Sequence, residues 1–501
     1  MSLYLKLKEQ AEKKPYARAI IDNDKSFSYS ELMNSVDRAA SGLKSLNINK
    51  DDHVGMLCMN QYEYVMLLFA ASKIGAITVP VNCMQQETII EYTIFDSGIK
   101  MLFVSEEIFH KYSNIISLAE EKHIKIIVIS RQKSADRYFS TFEEFMMLPQ
   151  IYVETETSED NVAVMLYTSG TTGMPRGVLL THKNLISNVN GFFNVTKLPE
   201  GDSAILALPL FHAFGQIVLL VCLFNCITTI LIQQFAPQTI LKNMVTYKTG
   251  VLPLVPTMFD IIITAAEKKN ITLDFVNYCV TGGASISTSL YRKIIETTGA
   301  RIIEGYGLTE TSPVITISQS EICYKENSVG KPIPGVKVRL EEDGEISISG
   351  NSVFKGYWND IEANMKCFTP DGYFRTGDTG YIDNEGYVYI TDRKKDIIIR
   401  AGENISPKQI EDVLYQFEAL RDVAVFGVKD LKLGEAILCA IETEAELDKK
   451  ELRQYCKNRL PAHMIPEDFI LMPQLPRNVL GKVLKFKLRE TFARQLTVSG
   501  N

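Results

Sequence analysis

Tyr167-Thr168-Ser169-Gly170-Thr171-Thr172-Gly173-Met174-Pro175-Arg176-Gly177-Val178 is the stretch on which the reading of this chain turns. Just before it, Val162-Ala163-Val164-Met165-Leu166 has the continuous apolar character of a buried strand, and His182-Lys183-Asn184-Leu185 after it opens a stretch of helical type. The segment therefore sits at a strand end. Glycines there permit positive φ and close backbone approach, so successive N–H groups can converge on phosphate oxygens while Ser and Thr hydroxyls add donors. Such a loop suits ATP, and an ordinary Gly/Ser/Thr turn shares its composition. It is not a Walker A loop, because no Gly-Lys-Ser/Thr follows four residues after a glycine.

The chain around it has 501 residues, beyond the roughly 250–300 at which single cores stop growing, so two or more domains are expected. Hydrophobic and charged fractions of 46% and 23% are those of an ordinary globular protein. A net charge of −7 argues against nucleic acid as a partner. The nine cysteines are scattered, mostly in apolar surroundings, and form no Cys-x-x-Cys pair or zinc spacing. Buried thiols in a reducing, cytoplasmic location are expected, with no signal-peptide pattern at Met1–Lys8 and no targeting signal at Thr497–Asn501. Ala204 to Ile232 has no Lys, Arg, Asp or Glu and about the length of a membrane span. Pro209, His212, Gly215, Gln216 and Asn225 interrupt it, so a buried strand, helix, strand series is expected instead.

Up to about residue 390, strand-like runs such as Ile126–Ile129, Gly250–Val255 and Phe275–Val280 alternate with helical ones, the α/β signature. After Gly330 the strands shorten (Lys337–Leu340, Glu345–Ile348, Tyr387–Ile390), with hairpin turns at Glu342-Asp343-Gly344 and Asp383-Asn384-Glu385-Gly386. The charge cluster Arg393-Lys394-Lys395-Asp396 then precedes about 100 residues of mixed α+β pattern, reading as a solvated hinge or ligand-contact turn. The expected fold class is thus α/β: a large N-terminal domain of several subdomains, one β-rich, over residues 1–392, a hinge at 393–396, and a small mobile α+β domain at 397–501.

In order along the chain stand Tyr167–Val178, then Leu208-Pro209-Leu210-Phe211-His212-Ala213-Phe214-Gly215, then Glu304-Gly305-Tyr306-Gly307-Leu308-Thr309-Glu310, and then Tyr373-Phe374-Arg375-Thr376-Gly377-Asp378. Asp392–Asp396 with Gly402-Glu403-Asn404, and finally Gly481-Lys482, complete the series. Together these motifs resemble the adenylate-forming superfamily over nearly the whole chain, most of all its bacterial fatty-acyl-CoA synthetases. The resemblance implies a ligase in which a carboxylate attacks the α-phosphate of Mg-ATP, giving acyl-adenylate and pyrophosphate, and a thiol then displaces AMP. It implies that Thr168, Ser169, Gly170, Thr171, Thr172 and Gly173 hold the β- and γ-phosphates, with Arg176 where the family usually has lysine. It places Tyr306 against the adenine, Glu304, Gly305 and Gly307 in the ATP/AMP-binding site, Thr309 at the α-phosphate, and Glu310 on Mg²⁺. Gly283-Ala284-Ser285 resembles the adenine-side loop, and the glycines at 282 and 283 suit a tight turn equally.

The same resemblance makes Asp378 the acceptor of the ribose hydroxyls, Arg393 a contact to ribose and phosphate, and Ile390 a lining of the nucleotide site. Lys482 bridges the carboxylate and the α-phosphate, neutralising two anions as they approach; Lys485, Lys487 and Arg489 also make that final helix simply basic. The domain carrying Lys482 rotates between half-reactions about Lys395, bringing Gly402 to the pantetheine tunnel. His212 lines and gates the acyl pocket, with Phe214, Gly283 and Gly307. No Asp or Glu lies between Asp202 and Asp260, so an α-amine would stand uncompensated in an apolar slot suggested by Phe211, Phe214 and Phe259. A medium- or long-chain fatty acid with coenzyme A as acceptor is the leading expectation, and an aryl acid or the phosphopantetheine of an acyl or peptidyl carrier protein is the alternative. Monomer and homodimer are both compatible.

Overall fold

The computed structural model describes residues 1–130, 140–151, 153, 157–168, 174–319, 325, 327–417, 420–430, 432–443, 446–477 and 481–492. The chain divides into two compact units, Met1–Lys337 with Ile348–Phe374, and Val338–Ser347 with Arg375–Asn501.

Two sheets build the first unit. One has nine strands, and its central run Arg18–Asp22, Thr228–Leu231, Ser203–Leu206, Val251–Pro253, Tyr278–Gly282 and Arg301–Gly307 is wholly parallel. The other has eight, with Val162–Thr168 between Arg176–Thr181 and Ile77–Pro80. Parallel strands covered on both faces need apolar side chains on both, which is why His53–Leu57 is buried throughout. The stretch Ala204–Ile232 folds as strand Ser203–Leu206, helix Ala213–Phe224 and strand Thr228–Leu231, as its interruptions predict. That helix is buried at every residue but Phe214. Among the described residues no helix is long and apolar enough to cross a membrane.

A four-stranded sheet, most of whose residues belong to the second unit, contains Val336–Leu340, Glu345–Gly350, Phe374–Ile382 and Val388–Arg393, joined by hairpins at the two turns expected. By its contacts this β-rich sheet groups with the C-terminal residues, whereas the sequence reading places it in the N-terminal domain. A further sheet centres on Gly434–Glu442, paired with Asp422–Asp430 and Asp468–Met472. Its period-two pattern sends Val423, Val425, Ile437 and Cys439 to a face covered by Ile410, Leu414 and Leu452. The alternate residues Ala424, Phe426, Leu438 and Ala440 pack on Leu475, Leu488 and Phe492. Every cysteine among the described residues is a free thiol, all buried but Cys367.

Candidate active site

The two ends of the phosphate-loop motif lie on paired strands. Strand Val162–Thr168 pairs antiparallel with Arg176–Thr181, setting Thr168 opposite Arg176; Ser169, Gly170, Thr171, Thr172 and Gly173 lie outside the described residues. The hairpin stem is tied down by Asp96, whose carboxylate accepts from the Tyr167 hydroxyl at 2.6 Å and whose carbonyl accepts from the Trp358 indole at 3.0 Å. Burial first, and Asp96 second, push the Tyr167 hydroxyl pKa upward, so it stays a donor. Helix His182–Thr196 then starts in a capping box, Thr181 accepting from the Asn184 N–H and Asn184 from that of Thr181.

The second group of motif residues lies at the carboxyl ends of adjacent parallel strands. Tyr278–Gly282 and Arg301–Gly307 run side by side with Thr281 opposite Glu304 and Gly282 opposite Gly305. This is where open α/β sheets bind ligands. Gly283, at φ +83°, turns the chain into the exposed Ala284 and Ser285, and the Ile286 N–H reaches the Glu304 carboxylate at 3.4 Å. Gly307 has no alternative, because a Cβ there would stand 1.7 Å from the Pro313 carbonyl oxygen. Thr309 and Glu310 follow on a single 3₁₀ turn, Thr309–Thr311, fixed by Thr311 Oγ1 donating to the Pro313 carbonyl at 2.8 Å. Buried Asn188 donates to the carbonyls of Thr311 and Val314. The Glu310 carboxylate accepts from Tyr357 Oη at 2.9 Å. Arg176 points to protein groups: its guanidinium is 3.0 Å from Asp360 and lies over the Tyr357 ring.

His212 caps helix Ala213–Phe224 by position, at the end of a turn held from elsewhere. Buried Asn60 accepts from the Leu210 N–H and donates to the carbonyls of Leu206 and Leu208, while Tyr64 Oη donates to the Leu210 carbonyl. Gly215 passes so close to the Pro209 carbonyl oxygen that a Cβ would stand 2.2 Å from it. Along helix Ala213–Phe224 is a small space of about 20 Å³ lined only by apolar side chains, among them Phe192, Phe214, Val218, Val221, Val251 and Val280. Of the residues expected to form an acyl slot, Phe214 lines this space; His212, Gly283 and Gly307 do not, and Phe211 and Phe259 are buried in the core.

In the second unit, Asp378 and Arg393 are register partners of an antiparallel pair, and Arg393 Nε stands 2.8 Å from the almost fully buried Asp378 carboxylate. Ile390 is half-buried on the same strand, and its carbonyl accepts from Lys408 Nζ at 2.8 Å. Lys395 lies in the turn closed by the Arg393 carbonyl, which accepts from the N–H of Asp396; burial and then Arg393 hold its pKa below the usual lysine value. Gly402, at φ +87°, has open space around the position of a Cβ, so its conformation alone favours glycine.

Lys482 follows Gly481, whose φ is +77° and whose carbonyl accepts from Arg477 Nη1 at 3.0 Å. Desolvation, then the neighbouring Arg393 cation, lower the Lys482 pKa to about 8 against the opposing pull of Asp378, with Lys395 lowering it and Asp396 raising it further. The side chain is itself exposed to solvent, so water screens part of this effect. Asp378, Arg393, Lys395 and Lys482 thus form one electrostatic neighbourhood. Asp96, Asn60, Tyr64, Asn188, Tyr357 and Arg477 were not among the expected site residues. Their partners lie far off in the sequence or belong to the main chain, where no periodicity marks them.

The chain is similar to known proteins over nearly its whole length. Residues 7–358 match the model of the AMP-binding enzyme family, and residues 409–482 that of the AMP-binding enzyme C-terminal domain. The long-chain-fatty-acid–CoA ligase FadD13 of Mycobacterium tuberculosis is 30% identical over 500 residues, covering 97% of this chain and 98% of that one. A feruloyl-CoA synthase of Amycolatopsis sp. is 30% identical over 497 residues, covering 96% and 97%. The structure of o-succinylbenzoate coenzyme A synthetase from Bacillus subtilis in complex with ATP and a magnesium ion is 28% identical with a TM-score of 0.85, covering 97% of this chain and 99% of that one. The chain belongs to the AMP-binding enzyme family and is an adenylate-forming acyl-CoA ligase.

Proposed function

We propose that this ligase activates a medium- or long-chain fatty acid with ATP and passes the acyl group to the thiol of coenzyme A. The observation that carries the choice of acid is the apolar lining of the small space along helix Ala213–Phe224, formed by Phe214, Val218, Val221 and their neighbours with no charged side chain. A second carboxylate or an amine entering it would lose its hydration without gaining a partner.

In this reading the loop from Thr168 to Gly173 holds the outer phosphates, Tyr306 and the Gly283–Ser285 turn flank the adenine, and Asp378 with Arg393 and Ile390 meets the ribose. Thr309 donates to the α-phosphate, and Lys482 neutralises the approaching carboxylate and phosphate together. Among the described residues no cluster of three or more His, Cys, Asp or Glu forms a metal cage. That fits Mg²⁺, which takes one or two carboxylates, water and nucleotide phosphates; Glu310 is the carboxylate that would hold it. Mg²⁺ bound there with ATP would neutralise phosphate charge. Residues 1–392 would then act as the ATP- and acyl-binding domain, 393–396 as the hinge about Lys395, and 397–501 as the mobile domain, with Gly402 beside pantetheine in the second half-reaction.

An aryl acid is the second reading, favoured by the relative named feruloyl-CoA synthase. Pyrophosphate–ATP exchange across fatty acids of graded length, ferulate and o-succinylbenzoate separates the two. Exchange with the fatty acids supports the proposal, and exchange confined to the aryl acids refutes it.

A further inference from the structure

We propose that Tyr357 is a positioning residue for the metal: its hydroxyl fixes the Glu310 carboxylate in the orientation that receives Mg²⁺ with ATP. The inference rests on the reading of Glu310 given above. Tyr357 Oη donates to Glu310 Oε1 at 2.9 Å, and the two residues are 47 positions apart in the sequence. A carboxylate with one oxygen so engaged is confined to few rotamers, and its remaining lone pairs keep a fixed direction.

The tyrosine is itself held on every side. Its main chain is clamped by Asn364, whose Oδ1 accepts from the Tyr357 N–H at 2.6 Å and whose Nδ2 donates to the Tyr357 carbonyl at 2.9 Å. The short strand Gly356–Tyr357 pairs with the hairpin strand Arg176–Thr181, setting Tyr357 opposite Val178. Phe354 meets the ring edge-on at 4.8 Å, and the Phe354 N–H donates to the Glu310 carbonyl, so both ends of the contact share one support. The Arg176 guanidinium lies 5.6 Å from the ring centroid and is anchored to Asp360. The arginine at this position in the phosphate-loop motif therefore braces the tyrosine that holds Glu310. Metal-site residues supported in this way lose affinity when the support is removed, by about 10–100-fold in measured cases.

The test compares Tyr357→Phe and Glu310→Gln with the parent protein. ATP binding is measured by calorimetry in excess EDTA, and Mn²⁺ binding in the presence of ATP by electron paramagnetic resonance. Phenylalanine keeps the ring that Arg176 and Phe354 contact, so the fold is retained and a thermal melt confirms it. The expected result is unchanged ATP binding in EDTA for Tyr357→Phe with Mn²⁺ affinity weakened about tenfold, and a larger loss for Glu310→Gln. Weakening by Glu310→Gln with none by Tyr357→Phe overturns the role of Tyr357. Equal weakening of ATP binding in EDTA also overturns it, since the effect would not be on the metal. If neither variant alters Mn²⁺ binding, the assignment of Glu310 itself fails.

Discussion

Arg477 donates through Nη1 to the carbonyl of Gly481 at 3.0 Å, one residue before Lys482, while its Nη2 meets Asp422 and Glu442 at 2.7 Å each. One guanidinium thus ties the approach to Lys482 to two neighbouring strands of the C-terminal sheet. Lysine cannot reproduce this fork, because its donors radiate from a single atom. Arg477→Lys is expected to slow pyrophosphate exchange by about ten- to a hundredfold, the scale of a misplaced reacting group. Melting in parallel separates that loss from unfolding, and an unchanged exchange rate removes the positioning role.

Lys482 itself is expected to matter most in the first half-reaction. Lys482→Ala should lower exchange by about 10²–10³-fold, the cost of removing one preorganised charge-stabilising group. The pKa of Lys482 is lowered to about 8, so its cation is present below that pH and lost above it. Exchange should decline as pH rises through 8, and Lys482→Arg, whose charge persists, should flatten that limb.

His182 should leave a signature in acid. Its ring is fully buried, its Nδ1 accepts from the Leu3 N–H, and burial pushes its pKa down to about 3 from 6.5. The unfolded chain therefore binds a proton below pH 6.5 that the folded chain refuses. The His182 contribution to stability is complete above 6.5 and falls as pH drops towards 3. Between pH 7 and pH 5 it should cost about 2 kcal/mol, at about 1.4 kcal/mol per pH unit below 6.5. Denaturant titrations at the two pH values should show a smaller drop for His182→Gln than for the parent; equal drops would contradict the assignment.

Filling the apolar space should change which acids fit. Val221 lines it from the buried helix Ala213–Phe224. Val221→Phe should reduce kcat/KM for the longest acids accepted by about tenfold or more, while shorter acids lose little. A uniform loss across all lengths would place the acyl chain elsewhere.

What the sequence makes legible depends on the range of the interaction involved. The series inside Ala204–Ile232 could be read because Pro209, Gly215 and Asn225 punctuate it locally, and both hairpin turns after Gly330 carry their own residue signals. The sequence marks the helix from His182 but not strand Arg176–Thr181 before it, because its separation in sequence from its partner strand exceeds the short turns that mark a hairpin. The apolar run begins at Phe275 whereas the strand spans Tyr278–Gly282, because an apolar run does not show where hydrogen bonding begins. The supports of the site were illegible for a different reason. Asp96 reaches Tyr167 across 71 residues, Asn60 reaches Leu210 across 150, and Tyr357 reaches Glu310 across 47. Only the folded sheets bring such pairs together.

The most direct test of the central claim is a single assay of the purified enzyme with ATP, Mg²⁺, coenzyme A and fatty acids of graded length, following AMP, pyrophosphate and thioester together. Equal amounts of AMP, pyrophosphate and fatty-acyl-CoA are expected. Formation of ADP in place of AMP, or turnover only with aryl acids or only with a carrier protein as acceptor, would contradict it.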